Sequence, residues 1–329
     1  MGRPESAGSG RPTPTPTPTP TSTEGSAVFF HSQKLINEIV PDEPDPAAAN
    51  ALQEGLGGQF SEMRTMMQYL FQSFNFRGNG TGKPYRDLIQ AIGVEEISHV
   101  ELIATTIAQL LDGAPAYEGN GTPGEGGKTP LNIALSHGNI HHFLVGAQGA
   151  LPVDAAGNPW SGSYVYNSGN LVLDLLYNLM LEATGRLQKC RIYEMTDNKA
   201  ARSTISYLIA RDAAHEAAFA KALETLGVNW GKTLPIPKFD ARKYPEVKKL
   251  MDEGVHCKQH HWRLDGSEME AIFQGSSPLT DVEATLKTTQ DPPEGAAIPD
   301  APERPEEFAP GLTPELMELM EQAVALETR

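Results

Sequence analysis

The chain has 329 residues, 42 acidic and 26 basic, for a formal net charge of −16. An acidic chain without a basic patch is a poor partner for nucleic acid, and no apolar run approaches the roughly 18 residues that a membrane span needs. Two cysteines far apart, Cys190 and Cys257, make no disulfide framework and fit a reducing, cytoplasmic compartment; no apolar run follows a basic start, so no secretory signal is expected.

Residues 1–25 are of low complexity, with Pro and Thr alternating from Pro12 to Pro20. Such a segment buries too little apolar surface to offset its ordering entropy, so a disordered tail is expected there. The first helix is expected over 46–76, where Met63, Met66, Met67, Leu70 and Phe74 recur at helical spacing. A Gly-rich turn with Pro84 closes it, and a second helix is expected over 84–111. Residues 113–165, rich in Gly, Pro and Asn, read as a long connection. The third and fourth helices are expected over 169–195 and 200–226. Four helices with a long crossover between the second and third predict an all-α, ferritin-like four-helix bundle. The core domain is expected over 26–275. Residues 276–329 form an acidic, Pro-rich extension in which 12 acidic residues stand against 3 basic ones after Thr280. Thr313-Pro314 has the pattern of a capped helix start, so a short terminal helix is expected to about Glu327.

The polar residues inside these helices carry the chemistry. Glu96 and His99 are three apart, as are Asp212 and His215. Residues so spaced lie about 60° apart around a helix axis. Glu62 and Glu182 sit one helix upstream of each pair. At 1.5 Å per residue, each lone glutamate and its partner pair lie on the order of 20 Å from the turn between them, so antiparallel hairpins bring them level. The faces agree too: Ile92, Glu96, His99 and Ile103 share a stripe, as do Leu208, Asp212, His215 and Phe219. Isolated carboxylates on apolar stripes are costly, whereas cations compensate them. Two such pairs and two lone glutamates make the ligand set of a two-metal carboxylate site. Carboxylate and imidazole donors suit manganese, iron or zinc.

Several stretches resemble the manganese catalases. They are Leu56–Glu62 (LGGQFSE), Val94–Glu101 (VEEISHVE), Asn158–Val165 (NPWSGSYV), Ser168–Asp174 (SGNLVLD), Leu181–Gln188 (LEATGRLQ) and Ala210–His215 (ARDAAH), within a resemblance covering roughly residues 28–275. The resemblance implies disproportionation of hydrogen peroxide at two manganese ions per subunit, as a defence against oxidative stress. It implies that Glu62 and His99 hold one ion, that Glu182 and His215 hold the other, and that Glu96 bridges them. Tyr69 matches a tyrosine that hydrogen-bonds near the cluster. Asp212 stands where family members commonly have a glutamate that handles protons, and Leu181 stands where some carry an arginine. The resemblance further implies a homo-oligomer, often a hexamer. For the calcium site of some members, Asp87 matches one acidic position, but the next, four residues on, is Ala91.

Ligand types alone also permit a di-iron oxidase or peroxidase, and a non-catalytic homologue of the spore-coat kind is the third reading. His256-Cys257-Lys258-Gln259-His260-His261 gathers metal-binding residues without common zinc spacing. His137, His141 and His142 fall in the crossover, either lining access or packing. Cys190, in mid-helix, is expected to be buried as a small hydrophobe.

Overall fold

Asp45 and Pro46 start the first helix: the Asp45 carboxylate accepts the Ala48 N–H at 2.9 Å, and Pro46 occupies the first turn. In this computed structural model the described residues are 31–77, 80–112, 139–237, 240–263, 266–273 and 286–299, with positions 318 and 322. The helix over 46–76 expected from sequence is in fact two, α1 (Pro46–Gly57) and α2 (Glu62–Phe74). The break has a tertiary cause. A Cβ on Gly57 would meet the Val153 carbonyl oxygen at 2.1 Å, so the crossover backbone lies directly on the helix end.

The long helices are α2, α3 (Lys83–Leu111), α5 (Leu171–Glu194) and α6 (Lys199–Thr225). α2 packs on α3 and α5 on α6, with α3 against α6 and α2 against α5, which makes a four-helix bundle. Asn170 caps α5 through the Leu173 N–H, and Asn198 caps α6 through Ala200 and Ala201. α6 is the central helix: every residue from Thr204 to Leu223 is buried, many of them alanines that let neighbours approach closely.

The crossover is bolted to α1. It carries the short helix α4 (Ile140–Leu144), and Gln53 of α1 donates to the Leu151 and Val153 carbonyls at 2.6 and 2.7 Å. His142 Nε2 lies 2.9 Å from Gln53 Oε1. Among the described residues, the short helices α7 (Trp230–Thr233) and α8 (Pro245–Asp252) follow α6, and four short strands form two pairs. β1 (Lys34–Leu35) pairs antiparallel with β4 (Ala296–Ala297), and β2 (Lys258–His260) pairs parallel with β3 (Lys287–Thr289). Residues 286–299 of the acidic extension are thus paired with the body of the protein.

One face differs from its sequence pattern. The buried side of α2 is polar (Glu62, Arg64, Thr65, Gln68, Tyr69, Gln72, Ser73), whereas Phe71 and Phe74 are exposed and Met63, Met66, Met67 and Leu70 are half-buried. The expected Thr/Pro tail, His137 and most of the terminal helix lie outside the described residues; Glu318 and Gln322 are helical.

Candidate metal centre

Glu62 is the first residue of α2, directly after the break; Glu96 and His99 lie mid-α3, Glu182 mid-α5, Asp212 and His215 mid-α6. None is more than 1% exposed. The structure brings the five expected ligands together as two groups that share a member: Glu62, Glu96 and His99, and Glu96, Glu182 and His215. In each group one ligand atom per residue falls within 4.8 Å of the others. His99 Nδ1 lies 3.0 Å from Glu96 Oε2 and 3.4 Å from Glu62 Oε2. His215 Nδ1 lies 3.0 Å from Glu96 Oε1 and 3.7 Å from Glu182 Oε1. Thr65 Oγ1 donates to Glu96 Oε2 at 3.0 Å.

Many of these atoms are close without being aligned for hydrogen bonds. Glu62 Oε2, Glu96 Oε1 and His215 Nδ1 are buried and lack a protein hydrogen-bond partner. Buried polar atoms are normally satisfied, so a cluster of orphans facing one another fits a cation between them. Hard oxygen and imidazole donors fit manganese or iron.

Outside this set, each further carboxylate brings a cation. Arg211 Nε lies 2.5 Å from Glu95 Oε1, Arg186 Nη2 lies 2.5 Å from Glu216 Oε2, and Lys189 Nζ lies 2.6 Å from Asp212 Oδ2. Lys189 also sits 2.6 Å from Glu62 Oε1, although that contact is not aligned as a hydrogen bond. Asp212 therefore reaches Lys189, and Tyr69 donates its hydroxyl to Glu182 Oε1 at 2.6 Å. Leu181 leaves no arginine at its own position; Lys189, two turns further along α5, is a buried cation at the centre.

Electrostatics separate the carboxylates. Burial works against the Glu96 charge, but the His99 and His215 imidazoles outweigh it and hold Glu96 well below the usual carboxylate range. Burial pushes Glu62 and Asp212 up in spite of Lys189. For Lys189 burial is outweighed by Asp212 and Glu62, which keep the ammonium protonated. Tyr69 is held well above its ordinary value by burial and by Glu182, so it stays a phenol donor.

Sequence reasoning missed Glu95, Arg211 and Lys189. Lys189 lies seven residues after Glu182, which is two helical turns on the same face; Glu95 precedes the bridge position and is four residues before His99. Three further histidines pack elsewhere: His142 is fully buried against Gln53, His260 Nδ1 lies 3.0 Å from the Asp291 carbonyl, and His261 Nδ1 accepts the Arg263 N–H at 3.3 Å. Cys190 is buried, as expected. Asp87 faces protein donors: Lys83 Nζ at 2.7 Å, Arg263 Nη1 at 3.1 Å and the Glu268 N–H at 3.2 Å.

A family model described as manganese containing catalase matches residues 28–327. The chain belongs to the manganese catalase family. The match runs past residue 275, where the sequence resemblance was expected to end, and takes in the acidic extension. A manganese catalase of Bacillus subtilis strain 168 is 42% identical over 258 residues, covering 76% of this chain and 92% of that protein. A second Bacillus subtilis manganese catalase is 38% identical with the same coverage. The solved structure of KatB, a manganese catalase from Anabaena, aligns with a TM-score of 0.51 at 23% identity, over 80% of this chain and 100% of that one. This likeness bears on the fold, which is the ferritin-like bundle of the manganese catalases. No described helix is long and apolar enough to cross a membrane.

Proposed function

We propose that Glu62 and His99 hold one manganese ion, that Glu182 and His215 hold a second, and that Glu96 bridges them, in an enzyme that disproportionates hydrogen peroxide to water and dioxygen. The family supplies the activity and the metal. The observation that carries the assignment is that Glu96 belongs to both ligand groups, with one oxygen 3.0 Å from each histidine Nδ1. Iron fits the same donors, and the family favours manganese.

When bound, a manganese pair supplies two-electron redox capacity and lowers the pKa of bound solvent. The chain does the rest. Tyr69 fixes one oxygen of Glu182 by its 2.6 Å hydrogen bond. The Glu62–Lys189–Asp212 trio combines two carboxyls pushed up by burial with one ammonium, so it can hold a proton at Asp212 and return it. Ile92, Ile103, Leu179, Leu208 and Phe219, all fully buried, wall the bundle interior against bulk water.

The reading extends to a peroxide-detoxifying homo-oligomer of the cytoplasm, with a hexamer favoured by the family resemblance. Supporting assembly, Phe71 and Phe74 are 45% and 61% exposed with ring centroids 6.2 Å apart, an apolar pair of the kind a subunit interface covers. Supporting a reducing compartment, both cysteines are free. Calcium is left out of the reading, because Lys83 and Arg263 already face Asp87.

Oxygen release from hydrogen peroxide by manganese-loaded, haem-free protein tests the proposal. The expected result is one dioxygen per two peroxides, lost in Glu96→Ala. Fully metallated protein that releases no oxygen overturns it.

A further inference from the structure

We propose that Glu95 is a positioning residue that selects the ligand atom of both histidines at once, and that Arg211 ties it to the chain segment that follows the bundle. The proposal rests on the metal reading above. Glu95 is adjacent to Glu96 on α3, so its side chain leaves the helix about 100° away from the bridging carboxylate. It lies on the opposite side of the two imidazoles. Its Oε1 stands 3.6 Å from His99 Nε2 and 3.4 Å from His215 Nε2. The rings are stacked, with centroids 5.7 Å apart and an interplanar angle of 23°, which lets one oxygen straddle both.

A neutral imidazole carries a single N–H, and the group facing one nitrogen decides which nitrogen keeps its lone pair. At 3.4 and 3.6 Å the carboxylate acts as a negative charge shared by two N–H dipoles rather than as one aligned hydrogen bond. That charge favours Nε2–H on both rings. Both Nδ1 lone pairs are then available to a cation held against Glu96, which both Nδ1 atoms face at 3.0 Å. Glu96, at 3.0 Å on the Nδ1 side, is the nearer negative charge and pulls the proton towards itself; Glu95 at 3.4 and 3.6 Å opposes that pull, and without Glu95 it is unopposed. The proton would then move to Nδ1 and occupy the position a metal needs.

Arg211 keeps Glu95 in this role. It is fully buried, and its Nε and Nη2 reach the two Glu95 oxygens at 2.5 and 3.2 Å. A two-pronged guanidinium fixes the carboxylate plane, which a lysine could not do. Its remaining arm donates to the Val255 and Lys258 carbonyls at 2.6 and 2.8 Å. Lys258 opens β2, which pairs with β3 of the acidic extension. The segment after the four helices is thereby joined to both histidines through Arg211 and Glu95. Among the described residues Glu95 is in neither ligand group, consistent with a role through the rings rather than on the metal.

The test is titration of the full-length, metal-free chain with manganese(II), followed by the EPR signal of free aqueous manganese. Wild type is expected to take up two ions. Glu95→Gln is expected to weaken both together, by roughly 10- to 100-fold, the usual cost of losing a partner of a ligating histidine. The metal-free variant is expected to melt within a few degrees of wild type, which separates positioning from folding. Two ions bound at wild-type affinity by Glu95→Gln overturn this inference alone, and so does a loss confined to one ion. A wild-type chain that takes up no manganese overturns the metal reading and this inference with it. If Glu95→Gln does not fold, Arg211→Lys carries the test: it is expected to weaken both ions by roughly tenfold, the low end of the range for such partners, and unchanged affinity overturns the proposal.

Discussion

His99 and His215 at the centre, and His142 and His260 outside it, are equally hidden from water, yet they are driven in opposite directions. Burial pushes His142 and His260 down to about 4, so both are neutral packing groups. Burial acts in the same sense on His99 and His215, but there Glu96 and Glu95 outweigh it and push both up. Burial therefore does not set the candidate metal-site histidines apart in this protein; buried carboxylates on both edges of the ring do. The 256–261 segment has more histidines than the bundle, but its ring nitrogens face carbonyls, backbone N–H groups and Arg242.

The strongest way to break this contrast is at the shared carboxylate. Glu96→Ala removes the oxygens that face both Nδ1 atoms. Manganese content is expected to fall below one ion per subunit and peroxide turnover by about 1,000-fold or more, the scale of removing a charged group at a reacting centre. Atomic absorption and oxygen evolution read the two effects. Asp212→Ala should be milder. It leaves all five ligands but strips Lys189 of one partner, so turnover is expected to drop roughly 10- to 100-fold with both ions retained. Unchanged turnover would remove Asp212 from the proton path.

These expectations show what the sequence could and could not reveal. The bounds of α3, α5 and α6 were legible to within two residues, because long amphipathic runs with caps and breakers are local signals. The level set of Glu62, Glu96, His99, Glu182, Asp212 and His215 was legible because helical period and hairpin height are arithmetic, and the family resemblance singled out five of them as candidate ligands. The α1–α2 break was not, since it depends on Val153, about a hundred residues away, lying on Gly57. The Arg211–Glu95 and Lys189–Asp212 pairs were hidden for a related reason: each joins two helices, and the rotation of one helix against another is set by packing across the whole bundle. The outward Met and Phe face of α2 misleads for the opposite reason. Periodicity reports that a helix has two faces, and here the polar face is the one that lines the centre.

The packing histidines sharpen the contrast from the other side. His142 Nε2–H donates to Gln53, and its Nδ1 is buried without a protein partner. Protonation would put a second N–H where nothing accepts it. The unfolded chain takes up that proton below about 6.5 and the folded one only near 4, so stability is lost as pH falls through this window. The loss is at most about 3 kcal/mol, at 1.36 kcal/mol per pKa unit. His142→Gln keeps a donor towards Gln53 without the titration. Urea unfolding between pH 4 and 6.5 should show a shallower pH dependence in this variant.

The smallest expected effect decides whether the comparison is right. Replacing His256 and His260 together by asparagine removes two buried rings, 4% and 5% exposed, that belong to neither ligand group. About 1 kcal/mol of stability per site is a typical loss for such a change. Manganese content should stay at the wild-type value, and turnover should remain within about twofold, because neither ring is in a ligand group. A variant that lost one equivalent of metal would show that the 256–261 segment supplies a ligand, and the rule that flanking buried carboxylates mark the metal-site histidines would fail in this protein. If the metal stays, the difference between the two sets of histidines lies in which carboxylates face them, since sequence separation and burial do not distinguish them.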